Sequence, residues 1–252
     1  GDATERKAAS DSLWNWLTSN QAIPFTHKDT VIMLYRGQAT QVNWAGDMTG
    51  WQLQDSYKGE QAGASTIWWV QKSLPEDARL DYKILLNGDN WILDPANPHK
   101  QMSGFGWNSE LRMPAWEPSP YINPVEESER GSLTDNIRIS SDALGYDLQY
   151  RVYLPAHYDT SKTYPVVYVA DGQEYIHKEM GNMPVIMDNL IARALIEPVI
   201  AVFVDPRAPD NPDNNRRGEQ YTGNPRYVNF LADERAPVID ANYATDNRPE
   251  NR

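Results

Sequence analysis

Directly after the apolar run Val199 to Val204, the stretch Asp205 to Tyr221 gathers Arg216, Arg217, Glu219 and Tyr221. Loops that follow buried strands of an open sheet are where ligand crevices form. These four are candidate substrate contacts, the arginines for an anionic group; the same residues could equally form an internal salt-bridge network that fixes the loop. Asp210, Asp213, Asn214 and Asn215 offer oxygen ligands for calcium but lack the order, glycine and terminal glutamate of an EF-hand, so a solvated acidic loop is expected and no metal site. Cysteine is absent, which removes a thiol nucleophile, disulfides and cysteine-based zinc sites. No Gly-x-Ser-x-Gly pentapeptide occurs; Gly63-Ala64-Ser65-Thr66-Ile67 is the nearest and lacks the second glycine. Of the histidines, His27, His99, His157 and His177, His157 reads as an exposed loop residue, and His177 as a surface residue that could instead border a pocket.

The elements that carry these residues fall into two textures. Residues 5–19 space Leu13, Trp14 and Leu17 as a short amphipathic helix. From Val31 to about Leu93, short runs rich in β-branched and aromatic residues are broken by glycine, the pattern of a β-sandwich. Five of the nine tryptophans, Trp44, Trp51, Trp68, Trp69 and Trp91, fall there. Most are expected in the core, one ring of the Trp68-Trp69 pair buried and its neighbour exposed, with a sugar-stacking platform as the alternative use. Residues 94–124 hold six prolines and read as a packed linker rather than a central strand, with a domain boundary near 125–132. Ile137 to Ile139 and Leu148 to Leu154 then alternate like an antiparallel pair around Gly145. Val166 to Ala170 and Val199 to Val204 are continuous apolar runs flanking a helix at 183–195, whose apolar face reads as Ile186, Leu190, Ile191 and Leu195. Strand, helix and strand make a βαβ unit. A last helix from about Arg226 uses Val228, Leu231 and Val238, with Pro237 expected to kink or split it.

With 252 residues, 40% hydrophobic, the chain can build a real core, and a net charge of −12 leaves no basic stripe for nucleic acid or an anionic membrane. No apolar run approaches a membrane span. The polar start Gly1 to Arg6 is no signal peptide, although a mature form with its signal removed fits equally. Compartment stays open, periplasmic or secreted being favoured over cytoplasmic.

Several segments carry a resemblance. Arg151-Val152-Tyr153-Leu154-Pro155, Tyr164 to Tyr175, Asp188-Asn189-Leu190-Ile191, Pro198 to Asp205, Asn215 to Tyr221 and Tyr227 to Glu234 occur in the order of the enterochelin-esterase and esterase-D group of α/β-hydrolases, which residues 133–252 resemble. Val42 to Trp51 and Tyr82 to Pro98 resemble the early-set β-sandwich modules attached to glycogen-active enzymes and to this esterase group. The resemblance implies an N-terminal immunoglobulin-like β-sandwich plus the first half of an α/β-hydrolase domain. Its layout is a helix at 1–20, sandwich and linker at 21–124, and the hydrolase half at 125–252. It implies a serine ester hydrolase working through an acyl-enzyme without a cofactor, on a small-molecule or polysaccharide ester. Nucleophile, acid and histidine are expected beyond Arg252, following a segment like Pro249-Glu250-Asn251-Arg252, so residues 1–252 alone should turn over no ester. The remainder of the hydrolase domain is the expected partner. In this family the turn Asp171-Gly172-Gln173 corresponds to the oxyanion loop; taken without the resemblance it simply ends a strand. Within the class, a siderophore ester and an acetyl or feruloyl ester on a polysaccharide stand as alternative substrates, and a non-catalytic carbohydrate-binding or interaction protein as a different reading. Half a sheet is expected to leave the Val199 strand at an exposed edge.

Overall fold

The computed structural model describes residues 3–63, 65–248 and 251. The 249–252 segment singled out above, apart from Asn251, lies outside the described residues, as do Ala64 of the Gly63 pentapeptide and Gly1-Asp2 of the polar start. The chain divides into two compact units, Gly1–Pro118 and Ser119–Arg252, a boundary a few residues before the one expected from sequence.

The first unit opens with α1 (Ala3–Ser19), which buries Leu17 and half-buries Trp14 against Ile23, Leu34 and Ile67. Leu13, expected on that face, is exposed instead. Nine strands follow: β1 (Phe25–His27), β2 (Thr30–Arg36), β3 (Val42–Gly46), β4 (Glu60–Gln61), β5 (Ile67–Ser73), β6 (Arg79–Leu86), β7 (Asn90–Ile92), β8 (Lys100–Ser103) and β9 (Gly106–Arg112). They form two antiparallel sheets, ordered β1-β2-β5-β4 and β3-β6-β9-β8, with β7 beside β6. Alternate residues of both sheets, Val31, Met33, Trp68 and Val70 from one and Val42, Trp44, Tyr82, Ile84 and Leu111 from the other, meet in a single core. Trp68 lies inside it, while Trp69 faces the other way and is half-buried under α1.

The expected linker is corrected in its first part: β8 and β9 lie within 94–124, and β9 is an interior strand between β6 and β8. What hid it is a buried polar network. Asn108, Ser109 and Glu110 of β9 are all buried. Tyr82 donates to the Asp94 carboxylate at 2.6 Å, Asn97 donates to Tyr82 and to the Glu110 carbonyl at 3.0 Å each, and the Asp94 N–H donates to the Ser109 hydroxyl at 2.8 Å. Fully partnered polar groups can occupy core positions, so the hydrophobic alternation that marks a strand is missing from the sequence.

The second unit contains β10 (Ser132–Leu133), β11 (Ile137–Ser141), β12 (Tyr146–Leu154), β13 (Val166–Val169), α2 (Gly172–Tyr175), α3 (Met183–Ala192), β14 (Ile200–Asp205), β15 (Arg207–Ala208), β16 (Asn211–Asn215), α4 (Arg217–Tyr221), α5 (Pro225–Asn229) and α6 (Ala236–Asn242). Its main sheet runs β10-β12-β14-β13, with β11 also on β12; β12 and β14 are antiparallel, β13 and β14 parallel. Helices cover both faces. Met187 of α3 packs with Tyr153, Val169, Ala201 and Phe203, and Ile239 of α6 with Tyr150, Val152, Val166, Ile200 and Val202.

Three expectations are corrected here. The Val199 strand is not an edge: β14 is paired on both sides and every residue of it is buried, and β13 stands at that end of the sheet with β14 as its one paired strand among the described residues. The inner face of α3 is Met183, Met187 and Ile191, spaced four apart, while Leu195 is exposed. In the last helical stretch Tyr227, Phe230 and Ile239 are buried, and Val228 and Val238 are exposed. Pro237, expected to kink or split this stretch, stands in α6, which a π-helical segment separates from α5. A π-helical segment, Phe230–Arg235, precedes α6 and puts Pro237 in its first turn, where no N–H is needed.

Candidate functional site

The turn that closes β13 is built from opposite constraints on neighbouring residues. Asp171 adopts a left-handed conformation (φ 49°, ψ 38°), uncommon for a residue with a side chain. It is gripped at two points. Its N–H donates to the Tyr221 hydroxyl at 3.0 Å, and its carboxylate pairs with the Arg217 guanidinium at 2.9 Å. Gly172, which opens α2, is required by space: a Cβ there would lie 2.5 to 2.6 Å from the Phe203 main chain. The Asp171 carbonyl accepts from the Glu174 N–H at 2.9 Å. Gly172 and Gln173 stand at the start of α2, so their N–H groups have no acceptor within the helix. Burial and the nearby Asp171 carboxylate push the Glu174 carboxyl above its ordinary range.

Gln173 lines a cleft of about 440 Å³ with Arg151, His177, Lys178, Phe203, Asp205 and Arg207. Asp205 is clamped at its floor: Arg207 donates to its two oxygens at 2.9 and 2.7 Å, and Gln149 at 3.0 Å. Pairing with Asp205 holds the Arg207 guanidinium above its ordinary range. Arg151 donates through Nε to the Thr134 carbonyl at 2.6 Å. Three cations against one carboxylate make this cleft basic within an acidic chain, and it is suited to an anionic ligand.

Of the four residues expected to contact substrate, Arg217 and Tyr221 hold the Asp171 turn. Arg216 stacks 4.1 Å over the Tyr146 ring and donates to the Asp147 carbonyl at 3.1 Å, so the loop-fixing role describes its contacts. Glu219 is exposed. His157 is an exposed residue 3.8 Å from Glu129, and His177 borders the cleft. The acidic loop forms the β15–β16 hairpin, with Asp210 held bidentately by Arg138 at 2.7 and 2.8 Å. Among the described residues no cluster of histidine and carboxylate side chains could hold a metal ion. Arg151, Lys178 and Arg207 were missed in the sequence. The available signal was a charge at the carboxyl end of a buried strand, Asp205, followed two residues later by Arg207.

The first unit has a cleft of its own, about 570 Å³, on the outer face of β6 and β9, lined by Asp47, Trp51, Asp81, Lys83, Trp91, Ser103, Phe105 and Asn108. Trp91 and Phe105 are 42% and 89% exposed, a large apolar surface for a floor that is otherwise polar. Asn108 donates to Asp81 at 3.2 Å, and the Trp51 indole N–H to Asp47 at 3.0 Å.

Residues 141–251, which include the Asp171 turn, match the Esterase family model. Among solved structures the chain is similar to enterobactin esterase from Shigella flexneri, crystallised in the presence of enterobactin: 15% identity, 88% of this chain and 63% of that one, TM-score 0.66. It is similar also to the ferric enterobactin esterase of Salmonella typhimurium, at 14% identity, 86% of this chain and 62% of that one, TM-score 0.64. At such identity the likeness establishes a shared fold. The chain spans less than two thirds of the length of these proteins.

Proposed function

We propose that residues 1–252 belong to a serine ester hydrolase of the enterochelin-esterase type, an early-set β-sandwich followed by the first half of an α/β-hydrolase domain. In this reading the Asp171-Gly172-Gln173 turn supplies main-chain donors to the oxyanion. The observation that carries it is the fit of Gly172 against the Phe203 main chain, a close approach made at the carboxyl end of a parallel strand, where open sheets hold their ligands. Attack of a serine hydroxyl on an ester carbonyl puts negative charge on the carbonyl oxygen, and donors already aimed at that point lower the barrier without reorganising. The sequence has no Gly-x-Ser-x-Gly, so nucleophile, base and acid are assigned outside these residues. The basic cleft beside Gln173 supports an anionic ester as substrate, as a siderophore ester would be.

A second reading of the substrate, an acyl ester carried on a polysaccharide, is favoured by the cleft of the first unit. Flat aromatic faces at Trp51, Trp91 and Phe105 over a floor of Lys83, Asp81 and Asn108 suit the apolar faces and hydroxyls of a sugar ring. One comparison tests both: kcat/KM of the full-length enzyme on an anionic catecholate ester and on acetylated and feruloylated xylan, with affinity electrophoresis on glucan and xylan. Preference for the catecholate ester without retardation on either glycan supports the siderophore reading; xylan-ester turnover with retardation lost in Trp91→Ala supports the other. Turnover of no ester, together with glycan retardation, would leave a carbohydrate-binding protein.

A further inference from the structure

We propose that Arg217 and Tyr221 are positioning residues for ester hydrolysis, clamping Asp171 from one face of α4 so that the Gly172 and Gln173 N–H groups stay directed at the developing oxyanion. The proposal rests on the reading of this turn as the oxyanion donor. Its basis is the spacing and the geometry. Arg217 and Tyr221 are four residues apart, hence one turn above the other on the same helix face. Arg217 takes the Asp171 carboxylate at 2.9 Å and Tyr221 takes its N–H at 3.0 Å. The two contacts therefore fix both the side chain and the main chain of the residue in the left-handed conformation. A residue with a Cβ keeps such a conformation only where its surroundings over-determine it.

The clamp is itself anchored. The Tyr221 ring packs edge-on against Tyr227 at 5.5 Å, and Tyr227 is buried beside Phe230, with ring centres 5.9 Å apart. Neither Arg217 nor Tyr221 lines the basic cleft. A direct substrate contact and a clamp differ in what they do to kinetics: loss of a contact made equally in ground and transition states raises KM, whereas loss of alignment needed only in the transition state lowers kcat.

The test uses the full-length enzyme with a small aryl ester. Tyr221→Phe, which removes one neutral hydrogen bond, is expected to lower kcat by about 3- to 10-fold with KM unchanged. Arg217→Ala, which removes a charge-assisted one, is expected to lower it by more, and Arg217→Lys to restore most of the loss. Asp171→Gly adopts the left-handed conformation unaided, so Arg217→Ala placed on Asp171→Gly should add nothing. Raised KM at constant kcat, or full additivity in that double variant, would overturn the clamp in favour of substrate contact or independent action. Gly172→Ala separates the two levels. If it lowers kcat while the Arg217 and Tyr221 variants do not, the clamp alone is wrong; if it too leaves kcat unchanged, the oxyanion reading of the turn fails with it.

Discussion

Replacing Gly172 by alanine adds one methyl group at the point where two main chains come closest in the candidate site. The added carbon would stand 2.5 Å from the Phe203 carbonyl carbon and 2.6 Å from its Cα and Cβ, so the nearest approach falls about 0.9 Å short of the 3.4 Å at which ordinary contact begins. Phe203 cannot supply that room. It lies in the middle of β14, hydrogen-bonded to β12 on one side and β13 on the other, and is 1% exposed. The Asp171–Gln173 turn must therefore move, by most of an ångström. Misplacement on that scale costs about 10²-fold in rate, and loss of a principal oxyanion donor about 10²–10³-fold. Overpacking of this kind costs about 1–3 kcal/mol of stability. The expected outcome in the full-length enzyme is a kcat lower by two orders of magnitude, little change in KM, and a thermal midpoint lowered but still well above assay temperature. Gly172→Val should be worse in both. Steady-state kinetics with a saturating aryl ester, read beside a melting curve, decides it. A Gly172→Ala enzyme that folds and keeps kcat within twofold would show that the turn does not hold the oxyanion.

Further outcomes follow from other parts of the fold. Arg235 is fully buried with its guanidinium 4.1 Å over the Tyr150 ring and 5.8 Å from the Tyr168 ring centre, and burial lowers its pKa to about 10. The charged form is thus disfavoured in the folded state: this penalty, about 3 kcal/mol, is complete below pH 10 and fades as pH rises from there toward the ordinary arginine pKa. Contact with the ring faces returns about 2 kcal/mol of it. Arg235→Met should therefore leave stability at pH 7 equal or about 1 kcal/mol higher, and its advantage should shrink above pH 10; denaturant unfolding at several pH values checks this, and a large loss at pH 7 would mean a counter-charge holds Arg235. Asp94→Ala should cost about 2–4 kcal/mol, measured by urea unfolding, because the Tyr82 hydroxyl and the Ala96 N–H lose a fully buried acceptor. Limited proteolysis should spare the paired strands β8 and β9, Lys100–Ser103 and Gly106–Arg112, and cut within 117–120, which is exposed.

What the sequence disclosed follows from how each residue signals its surroundings. The antiparallel pair β11–β12 and the parallel pair β13–β14 were legible because their apolar periods are unbroken, whereas β9 was hidden by buried Asn108, Ser109 and Glu110, some of whose partners lie as far as 31 residues away. The α3 face was misread because a ten-residue segment with six apolar side chains besides alanine and proline offers more than one stripe. Strand order leaves no local trace at all, which is why β14 was expected at the edge and is found inside. In the site, residue type pointed to Arg217 and Tyr221, but direction is a tertiary property: both turn toward Asp171. The turn itself owed its meaning to the resemblance, since a glycine excluded by a main chain 31 residues further on looks in sequence like any other turn glycine.

The unshared side of β13 has a consequence for how such a protein could be assembled. Every N–H and C=O on that side is a ready register mark, and half-exposed Val167 offers an apolar step between them. A strand docking there parallel to β13 would run beside it to Val169, two residues before Asp171, so backbone pairing alone would carry the residues that follow it toward Gly172 and Gln173. Delivery of a reacting group to this turn would then require no recognition of the turn itself. The sheet acts as a ruler, and a polypeptide of matching length, whether continuous with this one or supplied separately, would be measured into place by its hydrogen bonds.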